Sequence, residues 1–201
     1  MNYLAHILLS GSDDHLLIGN FAGDFVKGKR WGQLPEKVGQ GVLLHRFIDS
    51  FADAHEVSMG LKKSLHPVIG KWAGVALDVL YDHMLAKHWR QYGVGDLDQF
   101  SRSAYQRMQK QQHLIPQKAL PLLEAMSGTN WLLSYADFET IPRVFAAMER
   151  RIGGNANLYP AAATYLDYEE VFLSGFATFF PDLQRACSEK ISIFERINQT
   201  S

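Results

Sequence analysis

Apolar residues recur every three to four positions along most of this chain, whereas the strict alternation of a half-buried strand is rare. The spacing predicts helices over roughly 14–27, 36–56, 67–92, 97–113, 138–152 and 160–180, with a last one near 182–197. Two glycines and Pro35 in "GKRWGQLPEK" separate the first long pair, the proline being placed to start the next helix. Pro67 is read the same way ahead of "VIGKWAGVALDVLYDHMLAKHW", and "YGVGD" ends that helix before Asp96 caps its successor. Two prolines and a glycine leave the boundaries within "LIPQKALPLLEAMSGTNW" open, and "GGNANLYP" is a clear break. No internal repeat or low-complexity run is visible. The pattern predicts an all-α, irregular helical bundle forming one domain over 1–201.

Composition narrows the setting. With 201 residues, 47% hydrophobic and 12% aromatic, the chain can bury a sizeable core, which argues against disorder. A formal net charge of −1 gives no support to a generally basic nucleic-acid binder. The single cysteine, Cys187, excludes an internal disulfide framework and fits a reducing compartment. The opening "MNYLAHILLSGSDDH" lacks a basic leader and carries His6 inside a short apolar run, and no stretch reaches about eighteen consecutive apolar residues. A cytoplasmic protein away from the membrane is expected.

The polar positions inside the apolar helices suggest chemistry. In "GVLLHRFIDSFADAH", residues 41–55, His45, Asp49 and Asp53 drift slowly around one helix side, beside Val42, Leu43, Phe47, Ile48 and Phe51. Asp78 and Asp82 stand one turn apart in "ALDVLYDHML" and project from one face of a helix otherwise destined for a core. Two carboxylates so placed repel each other unless one keeps its proton or a cation lies between them. His6 and Asp24 fall in the same N-terminal stretch, whereas the C-terminal half holds one histidine, His113. Imidazole and carboxylate donors without a thiolate cluster suit Mn²⁺, Mg²⁺ or Fe²⁺ better than a structural zinc site.

Plainer readings stand beside these. His6 fits a hydrogen-bonded core histidine, Asp24 a cap, Asp53 a pair with a lysine, and His55, His66 and His88 surface positions near helix ends. Asp78 with Asp82 resists such a reading, because buried charges are paired or coordinate metals.

Four blocks, "MNYLAHILLS", "GNFAGDFVKG", "GVLLHRFIDSFADAH" and "AGVALDVLYDHMLAKHW", resemble in order the signature blocks of the acyl carrier protein phosphodiesterase family. The resemblance is dense over residues 1–92 and continues weakly in "YLDYEEVFLSGFATFFPDL". It implies a divergent, HD-domain-like helical phosphohydrolase with manganese as the usual cofactor. The implied reaction removes 4′-phosphopantetheine from a serine of holo acyl carrier protein, an acidic partner, giving the apo protein. Asp82-His83 reverses the adjacent His-Asp of a standard HD site, so that motif assigns no ligand. Ala52 and Glu56 stand where threonine and proline are expected in the family block.

Residues and resemblance together make His6, Asp24, His45, Asp49, Asp78 and Asp82 the candidate ligands of a metal that polarises the phosphodiester. His83 is the candidate proton donor or support behind a ligand. Arg46 is the candidate clamp on a phosphate oxygen, with a salt bridge inside the bundle as its alternative. Asn20 and Lys27 are candidates to touch the pantetheine arm. Lys29, Arg30 and Lys37 with Lys62 and Lys63 supply a basic rim for the carrier protein. Two other classes stay open: an HD-type phosphohydrolase acting on a nucleotide, and a non-catalytic helical binding protein whose acids and histidines form a buried network.

Overall fold

In the computed structural model, which describes residues 1–151, 153 and 156–200, helices follow one another without an intervening strand among the described residues. The N-terminal half contains α1 (Tyr3–Leu9), α2 (Asp14–Phe21), α3 (Glu36–Ala54), α4 (Glu56–Ile69), α5 (Ala73–Lys87) and α6 (Trp89–Tyr92). The C-terminal half contains α7 (Leu97–Lys110), α8 (Leu120–Thr129), α9 (Trp131–Ser134), α10 (Ile141–Arg151), α11 (Tyr159–Asp167) and α12 (Glu169–Thr200). The all-α bundle expected from the periodicity is what forms.

Helix α5 is the axis of the N-terminal half. Ala76, Leu77, Val79, Leu80, Tyr81, Met84 and Leu85 are all buried, so apolar residues surround it rather than forming one stripe, as befits a helix enclosed by others. Its neighbours include α1, α4, α10, α11 and α12. Helices α2 and α3 lie backbone to backbone: a Cβ at Gly19 would strike the Val38 carbonyl and the Gly41 Cα, so only glycine allows this approach. That contact fixes how far the end of α2 stands from the polar side of α3.

Several boundaries differ from those the pattern predicts. Helix α1 was not expected, because seven residues cannot hold a helix by local propensity alone. Side chains complete it instead. The Tyr3 N–H donates to Asn2 Oδ1 (3.0 Å), while the Leu4 and Ala5 N–H groups donate to Asp82 Oδ2 (2.7 Å) and Oδ1 (3.2 Å). The span predicted over 14–27 ends at Phe21 and passes into a 3-10 turn, Gly23–Phe25. Pro67 does not begin the third long helix but lies inside α4, and the break comes at Gly70, whose φ of 58° favours glycine. Asp96 caps α7 as expected, accepting from the Gln99 N–H at 3.0 Å. Residue 152, at the end of the predicted 138–152 span, lies outside the described residues, as do 154 and 155 of the predicted break.

The two helices expected over 160–180 and 182–197 divide differently, at Tyr168, and α12 runs through Pro181. Buried Phe172, Phe176, Phe179 and Phe180 precede that proline, and buried Leu183 and Cys187 follow it. Burial of this continuous apolar stripe outweighs the lost N–H hydrogen bond, a defect of about 3 kcal/mol in an unsupported helix. None of the helices is long and apolar enough to cross a membrane among the described residues.

Candidate functional site

His45 and Asp49 lie one turn apart on α3, and α1 brings His6 against them. The two imidazoles stack, with ring centroids 4.2 Å apart. The Asp49 carboxylate faces both rings, Oδ1 at 3.1 Å from His6 Nε2 and Oδ2 at 3.2 Å from His45 Nε2. Asp24, on the Gly23–Phe25 turn, places Oδ1 3.4 Å from the same His45 nitrogen. Gly23 beside it seats the His45 ring, because a Cβ at that position would collide with the imidazole. A pocket of about 350 Å³ opens over this group, lined also by Asp53 and Asp78 and by Met148 of α10.

The protons on the two rings are fixed by their other nitrogens. His6 Nδ1 lies 2.7 Å from Asn20 Oδ1, and His45 Nδ1 lies 2.8 Å from the Asn20 main-chain oxygen. A carbonyl oxygen only accepts, so each Nδ1 must be the donor, and each ring turns its Nε2 toward the Asp49 carboxylate, where a neutral ring offers a lone pair. Burial, with His45 close by, lowers the pKa of His6 and favours that neutral form. Asp49 stays ionised: burial acts to raise its pKa, but the hydrogen bond and positive charge of His6 in its protonated form, the Met1 amino group and the charge of a protonated His45 outweigh it and hold it at about 2.

Two imidazole Nε2 atoms and an anionic carboxylate thus converge at hydrogen-bond distance. Such a set suits a divalent cation. Among the described residues, one donor atom each from His6, His45 and Asp49 lies within 4.8 Å of the others, and two imidazoles with a carboxylate fit manganese, magnesium or iron(II) chemically.

Other residues expected here are placed elsewhere. Asp78 reaches the pocket wall, but the positive charge beside it is the Met1 amino group, whose nitrogen lies 2.9 Å from Asp78 Oδ1 and 3.6 Å from Asp49 Oδ1. Asp82 is fully buried behind α1, where both oxygens accept main-chain N–H groups, so it is an anchor of that helix and not a wall of the pocket. His83 points away from the site: Nδ1 donates to the Tyr135 carbonyl at 2.8 Å, and its ring packs edge-on against Phe138 and Tyr165. A buried ring in that position gives no proton to a substrate in the pocket.

Arg46 donates to the Val26 carbonyl at 2.8 Å, which ties α3 to the loop carrying Lys27, Lys29 and Arg30; the guanidinium holds the loop where a phosphate clamp had been expected. Asn20 is fully buried and is removed from contact with a pantetheine arm. Lys27, Lys29, Arg30 and Lys63 are exposed, and Lys62 pairs with Asp53 at 2.5 Å on the pocket edge. His55 caps α4 through the Val57 N–H, while Lys37 pairs with Asp13 at 2.7 Å.

Sequence reasoning missed the contribution of Met1, Asn2, Tyr3 and Met148 to the pocket, and nothing in their local pattern marks them. Asn20 did carry a signal. A lone amide among the apolar residues of "LLIGNF" requires hydrogen-bond partners once buried.

Fold and pocket define an all-α protein with a histidine and carboxylate site gathered from its first and third helices and the turn after the second. Residues 1–183 match the family described as acyl carrier protein phosphodiesterase, and the chain belongs to that family. A protein named acyl carrier protein phosphodiesterase from Klebsiella pneumoniae (strain 342) is 29% identical, the match covering 94% of this chain and 99% of the relative. One of the same name from Enterobacter sp. (strain 638) is 32% identical over 75% of this chain and 79% of its own length. No solved structure matches the chain.

Proposed function

We propose that this chain hydrolyses the phosphodiester joining 4′-phosphopantetheine to a serine of holo acyl carrier protein, giving apo acyl carrier protein and 4′-phosphopantetheine. The reading rests on family membership together with one observation: the Nε2 atoms of His6 and His45 meet the Asp49 carboxylate in an open pocket. In this reading His6, His45 and Asp49, with Asp24 beside them, hold a divalent cation, manganese foremost, that when bound supplies Lewis acidity to the phosphate and eases the ionisation of water. Asn20 and Gly23 keep the two imidazoles in place. With His83 walled off by Phe138 and Tyr165, the proton for the departing serine oxygen comes from water or from a carboxyl group lining the pocket.

Incubating holo acyl carrier protein with the purified chain and Mn²⁺, while mass spectrometry follows the carrier protein, tests the assignment. Loss of the phosphopantetheine arm is the expected result. An intact carrier protein alongside phosphate release from free nucleotides would replace it with a nucleotide phosphohydrolase.

Recognition of an acidic partner fits the exposed Lys27, Lys29 and Arg30, which follow the Asp24 turn directly, and Lys62, paired with pocket-lining Asp53. Reversing Lys29 and Arg30 to glutamate together is expected to raise KM for holo carrier protein by roughly tenfold and leave kcat little changed, with added salt acting on the wild type in the same direction. Cleavage of a small phosphodiester lacking the protein should hardly respond. A carrier protein KM indifferent to both charge reversal and salt would place docking on another face.

A further inference from the structure

The Asn20 side chain and main-chain oxygen together make four contacts that bear on the two histidines. Its side-chain oxygen takes the His6 Nδ1 proton at 2.7 Å, and its main-chain oxygen takes the His45 Nδ1 proton at 2.8 Å. Its side-chain nitrogen donates to the His6 carbonyl at 2.8 Å and to Ser10 Oγ at 2.9 Å, while that hydroxyl donates in turn to the same carbonyl at 2.8 Å. These contacts fix the amide's orientation. Turned over, it would set its oxygen against the His6 carbonyl, acceptor to acceptor, and its N–H groups against Nδ1.

We propose that Asn20 is a positioning residue that locks both histidines in the Nδ1-protonated tautomer, so that both Nε2 lone pairs are turned to the point where a cation would bind. The tautomer matters because the alternative satisfies itself. A His6 ring with its proton on Nε2 would donate to Asp49 Oδ1, 3.1 Å away, forming a neutral histidine and carboxylate pair and closing the site to a metal. A single residue thereby prevents the site from collapsing onto itself. The proposal rests on the cation reading for its purpose but not for its measurement.

The tautomers are read directly from nitrogen chemical shifts of ¹⁵N-histidine-labelled, metal-free protein at mildly alkaline pH, and Mn²⁺ affinity from the electron paramagnetic resonance of free Mn²⁺ in a titration. Wild type is expected to show His6 and His45 protonated at Nδ1. In Asn20→Leu, which removes the side-chain acceptor and leaves the main-chain one, His6 should move its proton to Nε2 while His45 keeps its own at Nδ1. Mn²⁺ affinity should fall by roughly 10–100-fold in that variant, the usual effect of losing a group that orients a ligand. Asn20→Asp keeps an acceptor at the same place and should keep the wild-type tautomer at His6.

Should Asn20→Leu fail to fold, the wild-type spectrum and Asn20→Asp still decide. A wild-type His6 protonated at Nε2 overturns the proposal, and so does Asn20→Leu with an unchanged tautomer and unchanged affinity. Wild-type protein with both Nδ1 protons in place but no Mn²⁺ binding would refute the cation reading and leave the tautomer lock standing.

Discussion

Asp49→Asn is expected to cut turnover of holo carrier protein by roughly 10³-fold or more, about 4 kcal/mol of transition-state stabilisation, while the protein stays folded. Each oxygen of Asp49 faces a histidine Nε2, at 3.1 Å and 3.2 Å, so the carboxylate is the anionic centre of the donor set. An amide fills the same space but brings N–H groups that donate to Nε2, which relieves the repulsion between lone pairs and carboxylate without a cation. The variant should therefore unfold at or slightly above the wild-type temperature and lose Mn²⁺ binding together with activity. Calorimetric unfolding, Mn²⁺ titration and the carrier protein assay check the three parts. Turnover near the wild-type value in Asp49→Asn, with metal still bound, would remove Asp49 from the donor set and with it the cation reading.

Residues one helical turn apart were readable from the chain, and residues whose meaning depends on a distant partner were not. His45 and Asp49 share one side of α3 by periodicity alone, and the structure brings His6 and Asp24 to that side. The same periodicity paired Asp78 with Asp82, yet the two carboxylates are compensated by different groups, the Met1 amino group and the main chain of α1. Nothing within "ALDVLYDHML" distinguishes these outcomes, because both partners are more than seventy residues away. Helix α1 was hidden for the complementary reason: its first N–H groups are accepted partly from α5, so its stability is tertiary. Proline positions misled in the same way. Pro67 and Pro181 look like helix boundaries locally, but each sits inside a helix whose apolar face is buried on both sides of the ring.

Asp82→Ala should be among the most destabilising single changes in the N-terminal half. It leaves the Leu4 and Ala5 N–H groups buried without acceptors, at about 1–3 kcal/mol each, so a loss of about 2–6 kcal/mol is expected, with Tm falling by about 4–24 °C. Because α1 carries His6, weaker Mn²⁺ binding should follow the unfolding of that helix and be restored on cooling, which separates an anchor from a ligand. Asp82→Asn retains an acceptor for one N–H group and should lose less. Its pH dependence has a definite sign. Burial raises the Asp82 pKa to about 7, against the pull of the Leu4 and Ala5 N–H groups, whereas the unfolded chain titrates near an ordinary carboxyl value of about 4. The folded state then holds a proton that the unfolded state releases between those values, so the contribution of Asp82 to stability is complete below about pH 4 and is lost as the pH rises through about 7. Asparagine does not titrate, so the stability difference between wild type and Asp82→Asn should move in favour of the variant from pH 4 to pH 8. Urea unfolding across that range measures it. An Asp82→Ala protein with wild-type Tm and no bound Mn²⁺ would instead make Asp82 a ligand, and a difference that stays flat with pH would mean that the carboxylate is ionised throughout, held by its two N–H donors.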